Sequence, residues 1–403
     1  MIFHPVLRGK TLAQTPSRLG VSRESLSLAL KWSTGGLFSR GDDRKAFLHA
    51  ISWLALAQDA CSGAGISAEY SLKFGWDPPY PETSGYIIAT FLAYAKFVGQ
   101  ATFRDRALQL GHWLLSIQAE NGGVPSRLGF PQLHVFNTGQ VILGWCTLFR
   151  ETGDERFLSG AKKAANFILD GQEADGSWIK NTYCGPRTYH ARVSWSLLEL
   201  SRLLSEERLA QAAEKNLSWV VNQQHRNGWF DCCGFNRDLP NMHVISYTLR
   251  GLLESHLLFP ERLEPLRLPE RVNLALEALL QSSHDHPAPG FKRMLRTSFD
   301  QDWGSRDGHA CLTGNAQLVN VLSRYGRHFD RADYAEFAIA LIHDLHLTVN
   351  QETSFAAVRG ALPGSHPFYH GYKANSFPNW ATKFWADALF FRLNPEVEFN
   401  IPA

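Results

Sequence analysis

The sequence predicts an all-α protein that folds as a closed (α/α)6 toroid of helix hairpins. Three observations lead to this fold class. A short motif returns at intervals of 54 and 52 residues, apolar segments with helical spacing precede each copy, and the last apolar segment of the chain still needs a covering partner. Such periods are typical of arrays of helix hairpins, in which each hairpin buries its apolar face against its neighbours.

The repeated motif has the form Ala-x5-aromatic-x4-Gln-x3-Gly and indicates the second helix of each hairpin. Each copy ends an apolar pattern with helical spacing and stops at a glycine, where a left-handed backbone commonly closes a helix. The copies are Ala107, Trp113, Gln118 and Gly122; Ala161, Phe167, Gln172 and Gly176; and Ala213, Trp219, Gln224 and Gly228. These charged helices should form an outer ring, with the three aromatic residues packed against an inner ring.

Six further segments predict the first helices of the hairpins. They are apolar on nearly all sides, and a helix of that kind is buried on both faces. We therefore expect these six helices to form an inner ring. The segments are ETSGYIIATFLAYAKF, NTGQVILGWCTLF, YHARVSWSLLELSRLL, HVISYTLRGLLESHLL, CLTGNAQLVNVLSRY and NWATKFWADALFFRL.

Ring closure requires one more outer helix, because only five follow the six inner ones. The segment DRKAFLHAISWLALAQDA near the amino terminus can supply it by packing beside the last inner helix. An open solenoid is the alternative, but its ends are normally covered by capping repeats with a polar outer face, whereas the last segment is strongly apolar. We expect a single toroid domain over residues 43–403 and an amino-terminal arm over residues 1–42.

The composition argues against several classes of function. The formal charge of +2 is spread along the chain without a Lys/Arg stripe, so nucleic-acid binding is not expected. No apolar run approaches the roughly 18 residues that span a bilayer. The six scattered cysteines are typical of free thiols in a reducing compartment. The sequence predicts a cytoplasmic protein with no membrane span, metal or cofactor.

Functional residues are expected in the loops that lead into the inner helices. These loops are rich in aromatic, His, Asn and Arg residues, whereas the loops at the other end, such as RETGDERF, are short and ordinary. Because the starts of the inner helices converge on the ring axis, their side chains should line a cleft. Aromatic rings stack on sugar faces, and planar donors bind hydroxyls or carboxylates. An oligosaccharide or polysaccharide is the expected partner.

Three motifs carry a resemblance to known proteins. PETSGY at 81–86, NTGQ at 137–140 and PNWATKFWADAL at 378–389 resemble motifs of toroid proteins associated with bacterial polysaccharide synthesis. From about residue 43 to 395 the chain resembles the (α/α)6 carbohydrate-active superfamily. That superfamily includes six-hairpin glycosidases, unsaturated glucuronyl hydrolases, uronate 5-epimerases and the toroid domains of polysaccharide lyases. The resemblance implies a glycan substrate and partners among polysaccharide-biosynthesis proteins.

The residue types near the inner-helix starts favour proton abstraction from an acidic, uronate-containing glycan, of epimerase or lyase type. This chemistry needs a base, a second proton donor, and cationic or amide groups that stabilise the enolate. The catalytic candidates are Tyr189, His243, Tyr247, Glu82 and Asp302. The candidates for substrate binding are His134, Asn137, Arg192, His309, Tyr372, Trp76 and Trp303. Arg192 has apolar neighbours, so its charge should need an anionic partner.

Two alternatives remain within glycan binding. A glycoside hydrolase needs two carboxyl groups on either side of the scissile bond, and Glu82 could pair with Asp302 or Asp307. A non-catalytic glycan-binding scaffold would use the same aromatic cleft without turnover.

A third alternative comes from the outer repeats. KKAANFILDGQEADGSW resembles the Gln-Trp repeat of terpene cyclases and of protein prenyltransferase β subunits, which are toroids. Prenyltransferases hold zinc with an Asp-x-Cys pair and a later His, an order that Asp231, Cys233 and His309 imitate, and lanthionine cyclases also use Cys and His. The spacing around Cys233 departs from those families.

Overall fold

A computed structural model describes residues 37–38, 41–235, 239–285 and 287–396 of the chain. Within these residues the structure is helical and contains only short strands. Nearly all of the predicted arm over residues 1–42 lies outside them and stays a prediction. In this part of the chain, no helix is both long enough and apolar enough to cross a membrane.

Six helices form the inner ring. They are α2 (Pro81–Val98), α4 (Val135–Thr152), α6 (Ala191–Leu204), α8 (Met242–Leu258), α11 (Leu312–His328) and α13 (Asn379–Leu393). Each packs against the next in this order, and α13 packs against α2, so the ring closes. The closed (α/α)6 toroid predicted from the sequence is therefore confirmed.

An outer helix packs against each inner helix. The outer helices are α3 (Ala101–Ile117), α5 (Glu155–Asp170), α7 (Glu207–Asn222), α10 (Leu268–Asp285), α12 (Ala332–His346) and α1 (Asp43–Asp59), and a short helix α9 (Pro260–Leu263) lies between α8 and α10. As predicted, α1 packs against α13. Trp53 of α1 donates its indole N–H to the Ala357 carbonyl at 2.8 Å, and His346 Nε2 lies 2.7 Å from Asp43 Oδ1. These contacts join α1 to the end of α12 and to the loop that follows it.

The repeated glutamine links neighbouring hairpins. Gln118 Nε2 donates to the carbonyl oxygens of Gly122, in its own turn, and of Gly160, in the next outer helix, both at 2.9 Å. The same pair of bonds runs from Gln172 to Gly176 and Ala212, and from Gln224 to Gly228 and Arg271. Gly122 has a φ of 91°, and a Cβ there would lie 2.0 Å from the Lys163 carbonyl oxygen. Only glycine fits this turn against the next helix.

The repeated aromatic residues differ in burial. Phe167 is 6% exposed, as expected for a side chain between the two rings. Trp113 and Trp219 also pack against the core, but they are only half-buried. The reason is visible at Trp113, whose ring packs against Gly65 in the loop after α1 and not against the inner ring alone.

Short strands tie the loops at one end of the ring together. β1 (Glu69–Ser71) pairs antiparallel with β2 (Gly75–Trp76) and with β5 (Ser376–Pro378), and β3 (Ala310–Cys311) pairs with β4 (Ser365–His366). Because β1 precedes α2 and β5 leads into α13, the first sheet joins the loops before the first and last inner helices. This holds the loops in place at the ring closure.

Candidate active site

The long loops of the ring lie at the end where the inner helices begin, which we call the cleft face. Their described parts are residues 60–80, 118–134, 171–190, 223–235 with 239–241, 287–311 and 347–378. Every large hydrophobic side chain that is exposed in the described residues belongs to one of these loops: Phe74, Leu128, Phe130, Ile179, Tyr183, Phe235, Leu239 and Tyr369. The aromatic asymmetry between the two ends of the ring, expected from the sequence, is present in the structure.

Glu82 is a buried carboxyl group in the first turn of α2, with 7% of its surface exposed. Burial raises the pKa of this carboxyl group to about 7, although the nearby Tyr80 hydroxyl and the Arg192 charge act in the opposite direction. A carboxyl group with this pKa exchanges a proton near neutral pH, as a general acid or base must.

Arg192 lies on α6 and is completely buried. Its Nε donates to Gln140 Oε1 at 2.8 Å, but its two terminal nitrogens have no hydrogen-bond partner. Among the described residues, no carboxylate lies within ion-pair distance of it. Its guanidinium carbon lies over the rings of Tyr247 (4.9 Å), Trp195 (5.2 Å) and Tyr86 (5.8 Å). Aromatic faces stabilise a cation only in part, so this charge still needs an anion.

His243 and Tyr247 lie one turn apart on α8, with their rings edge to face at 4.6 Å. The Tyr247 hydroxyl lies 3.4 Å from that of Tyr86. Burial, and then the Arg192 charge, lowers the pKa of His243 to about 3, so the imidazole is neutral at neutral pH. Burial and Glu82 raise the pKa of Tyr247, whereas Arg192 lowers it. The structure thus brings four predicted site residues into one cluster.

His134 and Asn137 join this cluster through Tyr183, which the sequence reasoning did not select. The Tyr183 hydroxyl donates to Asn137 Oδ1 at 2.9 Å and lies 2.9 Å from the Tyr80 hydroxyl. Its ring stacks on the imidazole of His134, with centroids 3.9 Å apart and planes at 19°. Nδ2 of Asn137 and Nδ1 of His134 are buried without partners. These atoms are free to bind a polar ligand.

Tyr189 and Tyr372 lie beside the same cluster. Tyr372 is 5.3 Å from the ring of His243, and Tyr189 packs edge-on against Phe136 at 4.8 Å. Burial raises the pKa of both hydroxyls, and the charge of Glu82 adds to this effect. Both groups are therefore protonated donors at neutral pH.

Asp302, Trp303 and Trp76 lie outside this group. Asp302 is exposed, and its backbone N–H bonds to Asp300 within a turn. Trp303 is buried and donates its indole N–H to the Asn227 carbonyl in the loop after α7. Trp76 packs against Trp53 of the outer helix α1 at 5.3 Å, within a peripheral sheet. The loops thus hold the two tryptophans against α1 and the loop after α7 and leave Asp302 in solvent, a placement that residue order alone does not reveal.

His309 and Asp307 are also separate from Glu82. His309 is half-buried, and its ring lies 4.7 Å from that of His370. Asp307 Oδ2 accepts hydrogen bonds from the backbone N–H of Ser298 at 2.7 Å and from its hydroxyl at 2.6 Å. The Asp307 carboxylate therefore stabilises the loop to which it belongs. Among the described residues, neither Asp302 nor Asp307 contacts Glu82.

The residues of the zinc alternative lie in different surroundings. Asp231 Oδ2 is 2.8 Å from Nε2 of His225, and the Cys233 sulfur is 3.7 Å from the Thr248 hydroxyl. His309, as described above, lies against His370. Across the described ranges, no group of three or more His, Cys, Asp or Glu side chains is placed to hold a metal ion. The order of the residues in the sequence therefore imitates a zinc site that their placement does not form.

Several residues of the cluster were missed from the sequence: Tyr80, Tyr86, Gln140, Tyr183 and Lys383. Tyr86 and Gln140 follow Glu82 and Asn137 by four and three residues, so helical spacing places them on the same face and could have identified them. Lys383 is fully buried and lies 2.6 Å from Asp387, with its ammonium group over the ring of Tyr86 at 5.1 Å. Burial lowers the pKa of Lys383 to about 8.

Comparisons with known proteins give no match at the level of sequence: no family model matches the chain, and no curated protein matches it. Solved structures do match. A sugar epimerase from a ruminal bacterium gives a TM-score of 0.70 at 12% identity, over 89% of this chain and 99% of that one.

Two further matches have different activities. The unsaturated glucuronyl hydrolase of Bacillus sp. GL1 gives a TM-score of 0.68 at 13% identity, over 87% of this chain and 97% of that one. A D-mannose isomerase gives a TM-score of 0.66 at 12% identity, again over 87% and 97%. At such low identities the likeness concerns the fold alone. The chain has the same (α/α)6 toroid fold as these three carbohydrate enzymes.

Proposed function

We propose that the chain is an enzyme that processes an acidic, uronate-containing glycan in the central cleft by abstracting a proton from the sugar, as epimerases and lyases do. The observation that carries this proposal is the buried, unpaired charge of Arg192 within a cluster of proton-transfer groups. Its terminal nitrogens lack acceptors, and its one hydrogen bond goes to the neutral amide of Gln140.

The positive charge of Arg192 in the cluster favours an anionic ligand. A guanidinium group that is removed from water is costly unless an anion compensates it. Glu82 compensates it only in part, because a pKa of about 7 leaves that carboxyl group partly protonated at neutral pH. The carboxylate of a uronic acid would supply the missing charge. Because tyrosine rings cover Arg192, its charge would act on this carboxylate through its electric field.

The same groups can support proton abstraction next to a carboxylate. When a base removes the proton from the carbon that bears the carboxylate, the C–H electron pair moves into the bond to the carboxyl carbon and an enolate forms. We assign the base role to ionised Glu82, and the stabilisation of the added negative charge to Arg192 and the neutral His243. Tyr247, or Tyr189 at the side of the cluster, would return a proton to the opposite face in an epimerase. In a lyase, the enolate electron pair would instead form a carbon–carbon double bond as the bond to the glycosidic oxygen on the adjacent carbon breaks, and that oxygen would take the proton of the same tyrosine.

The structural neighbours support an acidic sugar as the substrate. Unsaturated glucuronyl hydrolases recur among them, including one from Streptcoccus agalactiae that is described as complexed with dGlcA-GalNAc6S, with a TM-score of 0.62 at 12% identity. The sugar epimerase is also a neighbour, with a TM-score of 0.70. The three motifs that resemble toroid proteins of bacterial polysaccharide synthesis support a further part of the proposal, that the enzyme acts together with polysaccharide-biosynthesis proteins. The six unpaired cysteines support a cytoplasmic location, because a reducing compartment keeps thiols free.

Incubation with uronate oligosaccharides in deuterated water tests the proposal. Solvent deuterium incorporated at the carbon that bears the carboxylate, without chain shortening, identifies an epimerase, and an unsaturated non-reducing end identifies a lyase. Both activities should be lost in a Glu82→Gln variant. New reducing ends without unsaturation would show hydrolysis and overturn proton abstraction. Binding without any turnover would favour the scaffold alternative.

A further inference from the structure

Tyr183 is held rigidly although it is one of the more exposed aromatic side chains of the cleft face. Its hydroxyl is fixed between Asn137 Oδ1 and the Tyr80 hydroxyl, at 2.9 Å from each, and one face of its ring is covered by His134. Nevertheless 46% of the residue is exposed. The free part of a ring that is already ordered can receive a ligand at little further cost in conformational entropy.

A cation lies over the ring of Tyr80, whose hydroxyl contacts that of Tyr183. Arg127, in the loop before α4, is exposed, and its guanidinium carbon lies 5.9 Å from the centroid of Tyr80. Its charge also reaches Tyr183, because it lowers the pKa of that hydroxyl against the effect of burial. Among the described residues, the Arg127 side chain has no hydrogen bond or ion pair. An aromatic face beside an unpaired guanidinium is suited to a sugar ring with an anionic substituent.

Tyr183 and Arg127 are connected through Tyr80 to the cluster that contains Glu82. Tyr80 contacts Tyr183 through its hydroxyl and precedes Glu82 by two residues. A sugar on Tyr183 would therefore be a neighbour of a sugar at Glu82.

We propose that Tyr183 and Arg127 form a second sugar subsite, which binds an anionic sugar unit adjacent to the unit held at Glu82 and Arg192. The inference rests on the proposed function and refines it, because two adjacent subsites select an acidic oligosaccharide or polysaccharide over a monosaccharide. Either a carboxylate or a sulfate group could pair with Arg127, since both present oxygen acceptors to a guanidinium fork.

Binding measurements by calorimetry separate the two subsites. The ligands are glucuronic acid, a tetrasaccharide of β-1,4-linked glucuronic acid, a chondroitin sulfate tetrasaccharide and the neutral cellotetraose. The wild-type protein should bind the acidic tetrasaccharides at least about tenfold more tightly than the monosaccharide, a difference of the size of one charge-assisted contact. Tighter binding of the sulfated tetrasaccharide would assign a sulfate to Arg127, and equal or tighter binding of the glucuronic acid tetrasaccharide would assign a carboxylate.

The variant Arg127→Gln should remove most of this advantage and leave the affinity for glucuronic acid unchanged. Tyr183→Ala should also remove most of the advantage. Lys162→Gln, an exposed cation of the outer helix α5, is the matched control and should change neither. Thermal unfolding of each variant checks its fold, and Tyr183→Leu, which lacks the flat ring, replaces Tyr183→Ala if the latter does not fold. Unchanged tetrasaccharide binding in Arg127→Gln and the Tyr183 variant would overturn the second subsite, as would an equal loss for the monosaccharide in Arg127→Gln. If the wild-type protein binds none of the acidic sugars, the proposed function fails together with the subsite.

Discussion

The hydroxyl groups of Tyr86 and Tyr247 lie 3.4 Å apart, although their helices, α2 and α8, face each other across the ring. Two inner helices separate α2 from α8 on either side, so this contact crosses the ring axis. It closes the centre of the toroid and gives the cleft a floor. Arg192 lies against both rings, at 5.8 Å from Tyr86 and 4.9 Å from Tyr247. The buried charge and the two hydroxyls therefore form one unit.

Removal of one of these hydroxyls tests its role in proton transfer. We expect Tyr247→Phe to lower turnover of an acidic glycan by about 10²- to 10⁴-fold, the usual contribution of a positioned acid or base. The melting temperature should change little, because the ring and its packing remain. Steady-state kinetics and thermal unfolding give the two readouts. Tyr325→Phe removes a hydroxyl bonded to the Pro269 carbonyl at 3.2 Å, away from the cluster, and serves as control. An equal effect of both variants on turnover would contradict the assignment.

Glu82 should make the stability of the protein depend on pH. Its folded-state pKa of about 7 lies above the ordinary value of 4.5. Between these values the unfolded chain has released the proton while the folded protein still holds it, so the contribution of Glu82 to stability falls as the pH rises and is lowest above about 7. A Glu82→Gln variant lacks this loss. We expect it to gain on the order of 3 kcal/mol relative to the wild type between about pH 4 and about pH 8.

Denaturant unfolding of both proteins at the two pH values measures this gain. If ionised Glu82 is the base, the turnover of the wild type should rise with pH through about 7, over the range in which stability falls. A constant stability difference between the variant and the wild type would show that Glu82 titrates at its ordinary pKa.

Phe167 should contribute more to stability than the other aromatic residues of the repeat. It is 6% exposed between the rings, so Phe167→Ala leaves a cavity and should cost roughly 3–5 kcal/mol. Trp113 is half-buried, and its replacement by alanine should cost less, because the site is open to solvent on one side. Urea unfolding of the two variants compares them. A larger loss for Trp113→Ala would mean that the edge contact with Gly65 matters more than the packing between the rings.

The ring could be predicted from the sequence because its signals are local and repeated. Gln118 and Gly122 lie in one turn, and each copy makes the same two bonds to its own turn and to the next hairpin. The apolar character of α13 likewise indicated a covering partner, and α1 supplies it. Glu82, Arg192, His243 and Tyr247 could be selected because helix starts point toward the axis whatever the loops do.

Loop residues could not be placed in the same way. Asp302 and Trp303 lie in a long connection, and Trp303 bonds to the Asn227 carbonyl in the loop after α7. Tyr183 lies in another long loop. It joins the cluster because its ring stacks on His134 and its hydroxyl donates a hydrogen bond to Asn137. Such contacts depend on the path of the backbone, which has no periodic signal in the sequence.

Arg192 gives the sharpest test of the acidic-glycan proposal. Arg192→Met keeps the length and the apolar stem of the side chain, and it removes a buried charge that lacks an anionic partner among the described residues. Folding should therefore be preserved, because the loss of one hydrogen bond to Gln140 is offset by the removal of the uncompensated charge. Binding of acidic glycans should weaken by about 2 kcal/mol, the interaction of two unit charges about 8 Å apart at an effective dielectric constant of about 20. Neutral glycans of the same length should bind as before, since they use the aromatic walls and not the charge.

Calorimetric titration with a hyaluronan tetrasaccharide and with cellotetraose measures both quantities on the same preparation. Unchanged binding of both ligands would remove the uronate from the proposal and leave a neutral glycan, hydrolysed or merely bound, as the substrate class.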